Sequence, residues 1–161
     1  MNGSWPEPVE RVAAFLRDAG AEVRIEEFST GTPTAAHAAR AVGCNLKKIV
    51  KSLLFECDGQ PVLAMVPGDR RADARKVAAA AGADSAVIAS PVRVFEVTGF
   101  EPGAVAPFPL PRIERVLLDR SLVLFDRVWI GAGSTRHLAG LAPAELLRLS
   151  RAALLDIAAD D

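Results

Sequence analysis

Apolar residues recur every three or four positions from Pro8 to Asp18, at Val9, Val12, Ala13, Phe15 and Leu16, and Gly20 follows. That spacing predicts an amphipathic helix with a glycine stop. From Glu22 to Phe28 the apolar positions alternate at Val23 and Ile25 and then reach Phe28, which predicts a strand. Thr34, following Pro33, is a good cap for a helix running to about Val42 and ending at Gly43. Two apolar runs, Ile49–Glu56 and Pro61–Val66, flank Cys57-Asp58-Gly59-Gln60. Asp-Gly between apolar runs predicts a hairpin. Pro67-Gly68-Asp69 reads as a turn, Asp73–Ala81 as an alanine-rich helix stopped by Gly82, and Ala86–Ile88 as a short apolar piece.

Ser90-Pro91 opens a further helix to about Val97, with serine as cap and proline in the first turn. A glycine- and proline-rich loop then runs to Pro111. Arg115–Leu118 is a predicted strand, and Asp119–Phe125 either prolongs it or forms a helical turn. Val128–Ala132 is a strand running into the turn Gly131-Ala132-Gly133-Ser134, and His137–Leu141 is another. Pro143–Leu149 starts a helix that continues, broken or not, through Ala158. Strands interleaved with helices, plus one hairpin, predict an α/β (α+β) fold with a mixed sheet. No repeat or low-complexity linker interrupts the chain, so residues 1–161 read as one domain.

Composition changes this picture little, but charge narrows it. Nineteen basic and twenty acidic residues leave a net charge of −1. That excludes a protein that coats DNA or other nucleic acid by charge alone. Local basic groups remain: Lys47, Lys48 and Lys51, and then Arg70, Arg71, Arg75 and Lys76. Each group taken alone reads as a solvated rim. Two cysteines, Cys44 and Cys57, lie at opposite ends of an apolar run and lack C-x-x-C spacing. Free thiols, no window near the ~20 apolar residues of a membrane span, and no leader-like start predict a cytoplasmic protein.

The most unusual residue is Lys51, inside Ile49-Val50-Lys51-Ser52-Leu53-Leu54-Phe55. Both faces of that strand are largely apolar, which predicts a central strand with Lys51 pointing into an enclosed space. An unpaired buried ammonium is costly, and an anionic guest would offset the cost. The alternatives are an edge-strand position or a snorkelling side chain. Downstream, the loop Thr98–Phe108 carries two glycines and two prolines, so its shape is constrained and its backbone N–H groups are bare. Donors of that kind can receive a developing oxyanion. Gly131-Ala132-Gly133 lacks the third glycine of a dinucleotide fingerprint, Arg136 standing in its place. His37 reads as a helix-surface residue. His137 is placed to hydrogen-bond structurally or to face the Lys51 cleft.

These residues together resemble the YbaK/ProX family. The resemblance rests on Thr34–Gly43, Ile49–Phe55, Gly68-Asp69-Arg70-Arg71 with Asp73 and Lys76, Thr98-Gly99-Phe100 with Gly103 and Pro107-Phe108, and Gly131-Ala132-Gly133-Ser134 with His137. It spans about Thr32 to Leu149. That family comprises aminoacyl-tRNA deacylases and the editing domain inserted in some prolyl-tRNA synthetases. It implies a strongly curved mixed sheet and hydrolysis of mischarged tRNA, most often tRNA for proline carrying alanine or cysteine. It implies Lys51 as the functional lysine and Gly103 in the catalytic loop. Phe28, Thr32, Ser52, Thr98, Gly99, Phe100, Pro107, Gly131, Ala132, Gly133, Ser134 and His137 are then expected at the substrate. The partners implied are the acceptor end of an aminoacyl-tRNA and a prolyl-tRNA synthetase, with no metal or cofactor and no membrane. Ala104 and Pro109 depart from the pattern, where many members carry glycine. A catalytically idle module that binds tRNA or a synthetase, and a small-molecule-binding α/β domain, are the competing readings.

Overall fold

The computed structural model describes residues 5–160. Helix α1 (Glu7–Asp18) turns Val9, Val12 and Leu16 inward, as its spacing predicts. Strand β1 is shorter than expected, Ile25–Glu27 only. Helix α2 (Ala35–Val42) starts where the Thr34 hydroxyl accepts the His37 N–H, and it ends at left-handed Gly43. A 3₁₀ turn, Leu46–Lys48, leads into β2 (Val50–Cys57), which hairpins through Asp58-Gly59 into β3 (Gln60–Pro67). Helix α3 (Ala74–Ala80) is capped by the Asp73 carboxylate, and β4 (Ala86–Ile88) follows it. Helix α4 (Pro91–Thr98) carries the expected Ser90 cap. Then come β5 (Arg115–Asp119), a 3₁₀ turn (Arg120–Leu124), β6 (Val128–Ser134), β7 (His137–Leu141), α5 (Pro143–Ser150) and β8 (Ala153–Leu155).

The strands form two sheets. Five strands lie in the order β4-β2-β3-β5-β8, with β3, β5 and β8 mutually parallel and β2 antiparallel to both β3 and β4. Three antiparallel strands lie in the order β1-β7-β6. A single parallel bridge, Ile49 to Trp129, ties β2 to β6. The expected curved mixed sheet is therefore split into two pieces that share one core and, among the described residues, are joined by this one backbone bridge. The main core fills the space around them with α1, including Leu54, Leu63, Met65, Phe100, Phe108, Leu118, Ile130 and Leu146.

Two expectations are corrected. The glycine segment after Ala132 is no strand-end turn: β6 runs on through it, with an irregular register between Gly131 and Ser134, and the hairpin turns at Thr135-Arg136. The last helix does not reach Ala158. It stops at Arg151, which takes a left-handed conformation (φ 58°), and the chain then adds β8 alongside β5. Asp119 explains the change. Only 1% exposed, its carboxylate accepts the N–H groups of Ile157 and Ala158, each at 2.9 Å, and that of Ser121 at 3.1 Å. The Ser121 hydroxyl donates to it as well.

Burial by itself would raise the Asp119 pKa, but the Ser121 hydroxyl and the three backbone donors outweigh it and hold the carboxyl below its ordinary value. A lowered folded pKa stabilises above the unfolded carboxylate value, and that stability is lost as pH falls through the folded value. Asp119→Ala is expected to cost about 3 kcal/mol in urea unfolding, because it leaves buried donors unpaired. It should also flatten the acid limb of the stability–pH curve. A variant as stable as the parent at neutral pH would refute this account of the C-terminal segment.

Candidate functional site

Strand β2 has β3 along one edge for its whole length. Among the described residues, its other edge is paired only at the ends. Ile49 bridges Trp129, and Leu54 accepts the N–H of Ala89 ahead of the β4 ladder at Phe55–Cys57. Between them, Val50 to Leu53 border a cavity of about 310 Å³. Its other walls are Thr32–Ala35 and Ala38, Gly103 and Val105 from the loop after α4, Trp129–Gly131 from β6, and Leu138 from β7. The expectation of a central strand holds only in part: β2 is internal to its sheet, yet it is open where Lys51 lies.

The close approach of the loop depends on Gly131. A Cβ there would come 2.8 Å from the Val105 carbonyl oxygen, so only glycine lets the loop lie on β6. Gly103 is exposed, with φ +85°, and a Cβ on it would meet the Pro33 carbonyl at 3.2 Å. The facing wall, Thr32–Thr34, is tied to the β6–β7 turn. The Thr32 N–H and hydroxyl both donate to the Thr135 carbonyl, the latter at 2.8 Å, and Phe28 and Arg136 exchange two hydrogen bonds.

Lys51 is half-buried, and no carboxylate lies within 4.0 Å of it among the described residues. Desolvation pushes its pKa down, Asp69 acts against this, and Arg71 adds to the depression. Beside it the Ser52 hydroxyl is buried without a hydrogen-bond partner. A cation without an ion-pair partner and, next to it on the strand, a residue with an unpartnered hydroxyl thus border a cavity whose remaining walls are mostly apolar. Such a site favours a small ligand with an anionic or strongly polar group.

Of the residues expected at the substrate, Lys51, Gly103, Thr32, Ser52 and Gly131 line this cavity. The others lie outside its lining, each with a structural occupation. Phe28 packs on Ala38, Ala39, Ile49 and Leu138. The Thr98 hydroxyl accepts the Phe100 N–H at 3.0 Å and donates to the Val94 carbonyl at 2.7 Å, closing the end of α4. Gly99 is the left-handed cap of α4, and its carbonyl accepts from Arg11, whose guanidinium also stacks on buried Phe100. Pro107 borders a different cavity, with Phe15 and Phe108. Ala132 is in the main core, and Gly133 backs onto Pro8.

Ser134 and His137 share a 2.6 Å hydrogen bond across the β6–β7 turn. Burial lowers the His137 pKa, Glu27 works against this, and Arg136 adds to it. Sequence reasoning missed Trp129, Val105, Ala38 and Leu138. Nothing in their pattern separates a cavity wall from ordinary core, and only the divergence of the two sheets does so.

An amine held in apolar surroundings without a partner destabilises the fold. Lys51→Met is accordingly expected to raise the thermal unfolding midpoint. A fall of several degrees, followed by circular dichroism, would mean that the amine is already satisfied in the fold.

The family model for an aminoacyl-tRNA editing domain matches residues 30–149. The chain is 37% identical over 127 residues to the uncharacterized protein YwhH of Bacillus subtilis, covering 78% of this chain and 80% of that one. It is 30% identical over 151 residues to the multifunctional Ser/Thr-tRNA deacylase ProXp-y of Escherichia coli, covering 91% and 90%. A crystal structure of a protein put forward as a trans-editing enzyme for prolyl tRNA synthetase superposes with a TM-score of 0.90 at 33% identity, over 98% of this chain and 100% of that one. The chain also matches proline–tRNA ligases, spanning 17–24% of their length.

Proposed function

This chain belongs to the aminoacyl-tRNA editing domain family, and from that premise we propose that it hydrolyses the ester joining a wrongly attached amino acid to the 3′ end of a tRNA. The observation that carries this reading is the unpaired Lys51 on the wall of a small apolar cavity that the Gly103 loop closes. An aminoacyl ester is already activated, so placement, a water molecule and oxyanion stabilisation suffice, with no metal needed. Water adds to the ester carbonyl, and backbone N–H groups of the Gly103 loop receive the oxyanion. The tetrahedral intermediate collapses and expels the ribose oxygen, which takes a proton. The products are the free amino acid and a tRNA with its terminal hydroxyl restored. The vicinal ribose hydroxyl orients the attacking water. Lys51 holds the phosphate or ribose of the terminal adenosine.

Cavity size sets the substrate. About 310 Å³ is at the small end of ligand pockets and must admit part of the adenosine as well. With Trp129, Val105 and Leu138 among its walls, a small cavity supports a short side chain as the occupant. Alanine or cysteine on tRNA for proline is the reading. Serine and threonine esters belong in the same assay, because the 30% identical relative carries them in its name. The related stretch within proline–tRNA ligases supports a prolyl-tRNA synthetase as the source of the mischarged substrate.

The test is release of free amino acid from tRNA for proline charged with alanine, cysteine, serine, threonine or proline. Turnover of at least one small ester, spared proline ester, and loss by two or more orders of magnitude in Lys51→Ala are expected. Wild-type rates in that variant would remove Lys51 from the mechanism. No turnover of any ester would leave a binding module.

The charge on Lys51 also makes a pH prediction. Its lowered pKa means that deprotonation, and with it the loss of kcat/KM, sets in at lower pH than for a free lysine. Arg71→Ala removes a like charge and should move that alkaline limb to higher pH. Asp69→Asn should move it the other way. Unshifted limbs in both variants would rule out Lys51 as the titrating group.

A further inference from the structure

Glu27 and Glu56 bound the longest stretch of the chain without an acidic residue, and it carries Arg40, Lys47, Lys48 and Lys51. The fold brings part of the second basic group to the same place. Val50 pairs with Pro67, and Gly68 lies so close to the Leu46 carbonyl that a Cβ would come within 2.6 Å of it. The turn carrying Asp69, Arg70 and Arg71 is thereby seated on the 3₁₀ turn of Lys47 and Lys48, which runs directly into the cavity wall at Ile49.

The basic residues of this second group divide by partner. Arg70 donates to the Ala159 carbonyl, and Lys76 donates to Asp156, Asp160 and the Ala158 carbonyl, so both are spent on the C-terminal segment. Lys47, Lys48 and Arg71 have no ion-pair partner within 4.0 Å among the described residues. Asp69 is the sole acid in these two turns. In a chain with a net charge of −1, cations without an ion-pair partner thus stand beside the Lys51 cavity. Lys47 and Arg71 are exposed and Lys48 is half-buried, and repeated like charges at a surface suit a polyanion better than a single small ion.

We propose that Lys47, Lys48 and Arg71 form the dock for the phosphodiester backbone of the tRNA acceptor end, steering its terminal ester into the Lys51 cavity. This rests on the function proposed above and adds the surface through which the partner is held. A second arginine-bearing cleft, with Arg112, Arg115 and Arg151, lies at the far end of the β2–β3 hairpin beside Cys57. Cys57 lies six positions beyond Lys51 along β2, which is about 20 Å. Interspersed Asp58 and Glu114 dilute its charge. It serves as the control.

The experiment measures binding of uncharged tRNA to the full chain by fluorescence anisotropy across a salt series. Each backbone contact contributes ~0.7–0.9 to the slope of log K against log salt. Lys47→Ala/Lys48→Ala is expected to weaken binding at least tenfold at low salt and to lower that slope by about 1.5. Lys47→Arg/Lys48→Arg should restore both, and Arg112→Ala/Arg151→Ala should change neither. Hydrolysis of an amino acid ester of adenosine, which has no phosphate, should keep its wild-type kcat in the lysine double variant. An unchanged slope in that variant, an equal loss in the control, or no tRNA binding by the wild-type chain overturns the proposal. If the slope difference holds while no ester is hydrolysed, the hydrolytic reading fails and the dock stands.

Discussion

Between Ile49, which bridges Trp129, and Leu54, whose carbonyl holds Ala89, one edge of β2 has no paired strand among the described residues. The rest of the site depends on that gap. A continuous sheet would close Val50–Leu53 under another strand and exclude any ligand. Because β6 meets β2 at one bridge and then diverges, the gap is roofed by the Gly103–Val105 loop and by Thr32–Ala35. Both roofs need their own fastening. Gly131 lets the loop lie on β6, and the Thr135-Arg136 turn holds the Thr32 segment through backbone hydrogen bonds. The loops that wall the cavity are positioned here by strands on either side, the usual division of labour between scaffold and loop.

The gap also makes a lysine tolerable on an otherwise apolar strand. Lys51 borders a cavity and loses solvation there, which Asp69 offsets only in part, so its charge is expensive. Stability is given up at the one place where an anionic guest would restore it, a pattern common to functional sites. The C-terminal segment contributes indirectly. Asp119 anchors it through Ile157 and Ala158, and the anchored segment then absorbs Arg70 and Lys76. What remains unpaired near the cavity is thus decided partly by residues distant in sequence.

Much of the fold was legible from local pattern. The caps at Thr34 and Ser90, the stop at Gly43 and the Asp58-Gly59 hairpin all stand where spacing and side-chain chemistry put them. The final segment was not legible. Its apolar residues fit a helix as well as a strand, and a buried carboxylate thirty-eight residues earlier in the chain settled the matter. For the site, Lys51 stood out because a charge in an apolar run has few explanations. Thr98, Gly99 and Phe100 stood out equally, yet they cap α4 and fill the core. A glycine that ends a helix and a glycine that admits a ligand look alike in one dimension.

Residue chemistry and short-range periodicity alone determined most of the element types, the mixed α/β class, the exceptional lysine and the resemblance to an editing family. These depend on forces acting over one or two turns or along one strand. Only the tertiary structure decided which of the expected residues meet. Cavity walls, the opening of β2 and the joining of two basic groups arise from sheet divergence and from contacts between segments far apart in the chain, and no local pattern encodes that divergence.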